Sequence, residues 1–241
     1  MTKNRIIFHF HFYKNAGSSV DAILKNKFVK QWEEKEFEDN ALITTTVANW
    51  IANSKDIICF SSHTAKLDIL TAQDLQIMPV IFLRHPIDRI ASVYRYEKLR
   101  KGSSWEDRLA EMMPMQQYIQ ARLDRSGDSQ CRNYHCNRLA EMYRVGSDIK
   151  TSEFELAQRA SDRLPFIGIV ERFQESLKIF ERLFHEIGYQ NLNLQETREN
   201  ANSASGVDLN TRLESIEREV GEEFFSRLID LNKNDLILYK C

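Results

Sequence analysis

Ile6-Ile7-Phe8-His9-Phe10-His11-Phe12-Tyr13-Lys14-Asn15-Ala16-Gly17-Ser18-Ser19-Val20 is an apolar run that stops abruptly in a small, polar turn carrying one lysine. Runs rich in Ile and Phe and bounded by Gly and Ser suit a strand covered on both faces. Ser18, with Asp21 three residues on, has the spacing of a capping pattern that opens a helix, which the sequence carries to about Trp32. Strand, turn and helix start in that order predict an α/β chain.

A helix N-terminus presents unpaired N–H groups and the positive end of the helix dipole, and Lys14 adds an ammonium at the same place. Ala16 and Gly17 carry little bulk, so an anion approaches the backbone closely, while Asn15, Ser18 and Ser19 offer side-chain hydrogen bonds. The turn therefore reads as a phosphate loop. It departs from the GxxxxGK[ST] pattern of nucleotide triphosphatases, because its lysine precedes the glycine and no Gly-rich lead stands before it. ATP is not the first ligand it suggests.

Two further strand ends carry chemistry. Asp56-Ile57-Ile58-Cys59-Phe60-Ser61-Ser62-His63-Thr64 reads as a core strand running into a Ser-Ser-His turn, at the edge where open parallel sheets bind ligands. An imidazole there, with an ordinary pKa of about 6.5, suits a general base near neutral pH. Met78 to Leu83 reads as a buried strand delivering Arg84 to the same edge as Lys14. Pro86 suits the first position of the following helix, where Ile87, Ile90, Ala91 and Tyr94 form a core-facing stripe. Ser92 stands about two turns in, placed to grip one phosphate together with the Arg84 fork.

His11 to Ser19 resembles the H-x-P-K-[TA]-[GA]-G-[TS]-S signature of carbohydrate-type sulfotransferases, whose lysine loop binds the 5′-phosphosulfate of PAPS (3′-phosphoadenosine 5′-phosphosulfate). Tyr13 stands where the family usually has proline, which alters loop rigidity but removes no functional group. Arg84-His85-Pro86-Ile87-Asp88-Arg89, with Ser92, Tyr94 and Tyr96, resembles the family's 3′-phosphate motif. Gly168 to Leu177 and Asp235 to Tyr239 resemble its later elements, so the likeness covers most of the chain, here taken as a single domain over residues 1–241. The resemblance implies a P-loop-like, mostly parallel sheet flanked by helices. It assigns Lys14, Asn15, Ala16, Gly17, Ser18 and Ser19 to the 5′ end of PAPS, Arg84 and Ser92 to its 3′-phosphate, and His63 and Lys14 to catalysis. PAPS is then a co-substrate, no metal is required, and the acceptor is a glycan, a lipid-linked molecule or another small hydroxyl or amine compound. The rival readings are a nucleotide or small-molecule kinase and a non-catalytic protein that binds PAPS or its product.

The rest of the chain sets bounds. At 241 residues with a net charge of −2, it is long enough for one α/β domain and lacks the basic excess of a general nucleic-acid or anionic-membrane binder. No window approaches a membrane span. Many animal members of the resembled family are membrane-anchored, so a cytoplasmic, bacterial form is expected. The four cysteines, Cys59, Cys131, Cys136 and Cys241, lack CxxC spacing and read as free thiols. The acidic run Glu33 to Asp39 reads as a solvated face, although it holds glutamates that would serve as an alternative base. His9 reads as a packed strand residue, and His11 as a residue that positions the loop. Leu42 to Val47 is expected as a short strand, 103–125 as helix broken near Pro114 with Trp105, Leu109, Met112 and Met113 inward, and 208–229 as one helix. Glu153–Leu164 and Glu171–Gly188 read as helices around a core strand at 165–170. Arg89 and Arg95 read as surface or structural residues which, with Lys98, Arg100 and Lys101, form a local positive face. The polar stretch 197–206 is a loop of the kind that folds over a nucleotide.

Overall fold

The computed structural model describes residues 5–68, 76–144, 150–190, 192–194 and 207–240. The chain divides into two compact units, Met1–Leu83 with Arg138–Ser203 and Arg84–Asn137 with Ala204–Cys241. A parallel sheet organises the first unit, and helices build the second.

In the first unit β1 (Ile6–Phe10) lies inside a four-stranded sheet of order β2-β3-β1-β4, with β2 at Trp32–Glu34, β3 at Cys59–Ser62 and β4 at Ile77–Val80. Every pairing is parallel, and the register sets His9 beside Ser61 and Phe10 beside Ser62. Strand alternation sends Ile7 and His9 to one face and Phe8 and Phe10 to the other. On the Ile7 face, α1 (Gly17–Phe28) contributes Val20, Ile23 and Leu24, and α8 (Phe173–Glu186) contributes Leu177, Phe180 and Phe184. On the opposite face Trp50, from α2 (Ile43–Asn53), sits edge-on to Phe60 with ring centroids 4.8 Å apart. Helices on both faces are what an all-parallel sheet with apolar strands requires.

Three sequence expectations fail in this unit for physical reasons. Leu42 to Val47 is helical rather than extended: β-propensity differences span only about 1 kcal/mol, whereas burying Ile43, Val47, Trp50 and Ile51 on one helix face gains about 1.5–3 kcal/mol for each large side chain. Met78 to Leu83 is two strands. The edge strand β4 tolerates Pro79, which lacks an N–H, and the chain then leaves β1 so that β5 (Phe82–Leu83) pairs in parallel with β6 (Gly168–Ile169), all that forms of the core strand expected at 165–170. The helix after the lysine turn ends at Phe28, and its Ser18–Asp21 cap does not form: Ala16 is the N-cap and makes no side-chain cap. The expected helix near 153 is present as α7 (Glu153–Arg163), opened by a reciprocal Ser152–Glu155 capping box.

The second unit packs α3 (Pro86–Arg100), α4 (Trp105–Met112), α5 (Met115–Asp124), α9 (Leu209–Val220), α10 (Glu222–Leu231) and α11 (Lys233–Lys240). Pro86 holds the first helical position of α3, and Ile87, Ile90, Ala91 and Tyr94 enter the core as their spacing predicts. The α4 stripe is only partly inward: Leu109 and Met113 pack against the core beside buried Ala110, whereas Trp105 and Met112 are 43% and 81% exposed. The tail expected as one helix breaks at Gly221, whose φ of +85° lies in the left-handed region that glycine tolerates. Between the units in sequence runs α6 (Tyr134–Glu141). Cys59, Cys131 and Cys136 are buried free thiols, and no described helix is long and apolar enough to cross a membrane.

Candidate active site

The lysine turn leaves β1 and enters α1 within a few residues, and its backbone is unusual. Lys14 and Ala16 have φ of 62° and 60°, left-handed conformations that cost energy for residues with a Cβ. Asn15 sits between them, buried, and its side-chain amide donates to the Tyr13 carbonyl at 3.0 Å while its backbone N–H donates to Phe12. That makes Asn15 a brace of the loop. The N–H groups of Gly17 and Ser18 open α1, the positions a helix leaves without intrahelical partners, and no acidic side chain occupies the first turn. The donors at this turn suit an anion.

Gly17 is required by a close approach. A Cβ there would lie 1.9 Å from Cδ2 of His11, so the imidazole rests directly on the first residue of the helix. His11 and His9 both turn Nδ1 toward Asp21, one turn further along α1: His9 Nδ1 is 2.6 Å from Oδ1 and His11 Nδ1 is 2.6 Å from Oδ2. Ser61 of β3 donates its hydroxyl to the same Oδ1 at 2.6 Å. Burial raises the Asp21 pKa, but the charge of His9 and the hydrogen bonds from both imidazoles outweigh it and hold the carboxyl well below the usual range. The ligand atoms of His9, His11 and Asp21 lie within 4.8 Å of one another, which is also the spacing of a metal triad. At 2.6 Å each nitrogen–oxygen pair is a short charge-assisted hydrogen bond.

His63 follows β3 at the same edge of the sheet. Its ring stacks on His11 with centroids 3.6 Å apart, and its Nδ1 lies 2.8 Å from Glu36. Glu36 belongs to the acidic run expected as a solvated face; it instead accepts from the His63 N–H, from the Thr64 N–H at 3.0 Å and from the Thr64 hydroxyl at 2.8 Å. Burial pushes its pKa up, and the His63 amide and the Thr64 hydroxyl pull it down further, so the carboxylate stays ionised. Arg138 of α6 donates to the His63 carbonyl at 3.1 Å, and its guanidinium lies over the Phe12 ring. Glu33, from the same acidic run, accepts from Trp50 Nε1 at 2.8 Å and from Ser54.

The predicted residues Lys14, Asn15, Ala16, Gly17, Ser18, Ser19 and His63 all belong to the first unit, whereas Arg84 and Ser92 belong to the second. There Arg84 Nε lies 2.7 Å from Oδ2 of Asp88, and Arg212 Nε lies 3.1 Å from Oδ1 of the same carboxylate. Asp88 is fully buried; burial raises its pKa and the two guanidinium groups, Arg84 foremost, lower it. Ser92 is half-buried on α3. Arg89 is buried, stacks on Tyr134 with 4.0 Å to the ring centroid and donates to Gln130, which makes it structural. The positive face expected around it is largely spent, since Arg95 meets Glu219, Lys98 meets the Tyr94 hydroxyl and Arg100 meets Asp107. The loop 197–206 lies outside the described residues.

Sequence reasoning missed Arg138 and Arg212, and the partners that Asp21, Glu36 and Asp88 hold. Only Asp21 carried a usable signal: strand alternation puts His9 and His11 on the α1 face, where a carboxylate one turn into the helix meets them. Parallel strands whose ends present a lysine turn beside a carboxylate-held histidine form the kind of sheet edge at which α/β enzymes bind ligands. The chain belongs to the sulfotransferase family, whose model matches residues 2–240. It is 36% identical over 252 residues to an uncharacterized protein of Archaeoglobus fulgidus, covering 98% of this chain and 96% of that one.

Proposed function

We propose that the protein transfers a sulfuryl group from PAPS to a hydroxyl group of a carbohydrate or another small or lipid-linked acceptor, on a P-loop-like fold. The observation that carries this reading is the stack of His63 on His11 at 3.6 Å, which sets a candidate base against the helix opened by the lysine turn. PAPS supplies the activated sulfuryl group on a phosphate leaving group. His63 keeps its Nδ1–H on Glu36 and takes the acceptor proton at Nε2, with the carboxylate stabilising the imidazolium that forms. Lys14 and the Gly17 and Ser18 amides meet the charge that gathers on the 5′-phosphate oxygens. Arg84, its plane fixed by Asp88, and Ser92 hold the 3′-phosphate, a group that ATP lacks. Arg212 on the same carboxylate is a second candidate for that role.

The test is an acceptor screen with radiolabelled PAPS over glycans, glycolipids and small alcohols, alongside thermal shifts with 3′,5′-phosphoadenosine and with ATP–Mg²⁺. Label transfer together with stabilisation by 3′,5′-phosphoadenosine is the expected result. Stabilisation by ATP–Mg²⁺ alone would replace the proposal with a kinase, and binding without transfer to any acceptor would leave a non-catalytic nucleotide-binding protein.

A further inference from the structure

Asp21 is the one carboxylate of α1, and none of the roles above uses it. A half-buried carboxylate with no function would be a liability, because desolvating the charge is costly unless partners repay it. Here three side chains from two strands repay it: His9 and His11 of the β1 segment and Ser61 of β3. An ionised carboxylate only accepts hydrogen bonds, so each Nδ1 that faces Asp21 carries the proton. Both imidazoles are thereby fixed in tautomer and in ring plane.

The consequence reaches His63 through His11. One edge of the His11 ring lies on Gly17, so closely that no side chain fits there, and one face lies on the His63 ring at 3.6 Å. Any rotation of His11 about χ2 therefore moves either the first residue of α1 or the His63 ring. A metal ion among His9, His11 and Asp21 is the competing reading of the cluster. Zinc ligands at about 2.0–2.1 Å in a tetrahedron stand more than 3 Å from one another, and the 2.6 Å pairs seen here are the spacing of shared protons. We infer that Asp21 is a positioning residue for transfer: by clamping His9 and His11 it holds the His11 ring as a spacer that sets His63 in register with the phosphate-binding turn. This rests on the proposed role of Lys14 to Ser19.

The experiment uses the full chain carrying ¹⁵N-labelled histidine, as wild type, Asp21→Asn, Asp21→Glu and His11→Phe. Two quantities are read: the ring ¹⁵N signals of His63 by NMR and the affinity for 3′,5′-phosphoadenosine by calorimetry. The groups facing His63 are Glu36, His11 and, through the backbone carbonyl, Arg138. All except His11 are untouched by the Asp21 variants. Asp21→Asn is expected to change the His63 ring ¹⁵N signals, because the His11 ring stacked on it is no longer clamped, and to weaken nucleotide binding about tenfold, from misplacement of the groups that hold the ligand. Asp21→Glu should recover part of both. His11→Phe keeps a flat ring on Gly17 and His63 but cannot bond to Asp21, so the unclamped ring should give a smaller change in the His63 signals and in affinity; it serves as the test if Asp21→Asn does not fold. Unchanged His63 ring signals and an unchanged affinity in whichever variant folds would reduce Asp21 to a fold-stabilising residue and overturn the inference. A Zn²⁺-dependent rise in Tm in wild type that vanishes in Asp21→Asn would also overturn it, in favour of a metal site. If wild type itself fails to bind 3′,5′-phosphoadenosine, the donor reading falls, while the His63 ring signals still decide whether Asp21 positions His63.

Discussion

The two units of the molecule hold charge in opposite ways. In the sheet unit the proposed phosphate-binding elements are mostly backbone: a turn bent through left-handed residues at Lys14 and Ala16, and the N–H groups of a helix start. Side chains behind it, Asp21 with His9 and His11, act as framework. In the helical unit a single buried carboxylate, Asp88, grips Arg84 and Arg212, and the guanidinium groups are the candidate ligands. Backbone donors are placed by the sheet and survive most substitutions, whereas a side-chain clamp is only as good as the group that anchors it. Loss of the framework behind the first site should therefore weaken it only moderately, whereas loss of the anchor should undo the second.

The sharpest break is Lys14→Ala. It removes the sole cation of the turn and should lower transfer by about 10³-fold or more with Tm unchanged; normal turnover would refute the loop assignment. His63→Ala comes next, with a loss of about 10²–10⁴ in turnover and 3′,5′-phosphoadenosine affinity kept within a few-fold. Equal losses in both would make His63 structural.

On the other side of the comparison, Arg84→Ala should weaken 3′,5′-phosphoadenosine about a hundredfold while leaving adenosine 5′-phosphosulfate, which has no 3′-phosphate, nearly unaffected. Comparable weakening of both nucleotides would detach Arg84 from the 3′ end. Asp88→Asn should also destabilise the fold, by about 3 kcal/mol in urea unfolding, because two guanidinium groups lose their shared carboxylate. A stability loss under about 1 kcal/mol would show that the clamp is not anchored there.

The smallest expected effect is a pH dependence confined to the helical unit. Burial pushes the His85 imidazole from 6.5 down to about 4, with Lys240 and Arg212 adding to the effect against Asp88. As pH falls, the unfolded chain takes up this proton first, so stability is lost between about 6.5 and 4 and is fully present above that window. Urea unfolding at pH 7 and pH 5 should show a smaller difference in His85→Gln than in wild type; an identical difference would place the acid sensitivity elsewhere.

How much of this was legible differs residue by residue. The strand at Ile6, the lysine turn and the Pro86 helix follow from local patterns, because apolar runs, small residues and a fixed φ act within one element. The role of Glu36 was hidden, since it meets His63 across 27 residues of chain and stands in a run that looks like any solvated face. Arg138 reaches the His63 carbonyl across 75 residues, and Arg212 reaches Asp88 across 124. No periodicity encodes such pairings. Thr-rich Ile43–Val47 misled for a different reason: its propensity was outvoted by a buried stripe that only a helix creates.

Sequence by itself determined that this chain is α/β, that Lys14 stands at a strand-to-helix turn and that His63 follows a core strand, since these depend on interactions between residues close in the chain. Tertiary structure alone decided which carboxylate each charged group answers to: Asp21 for His9 and His11, Glu36 for His63, Asp88 for Arg84. The physical reason is that an ion pair is selected by distance and burial after the elements have packed, and a linear chain of alternating charges offers every acid and base several equivalent partners until the water between them is gone.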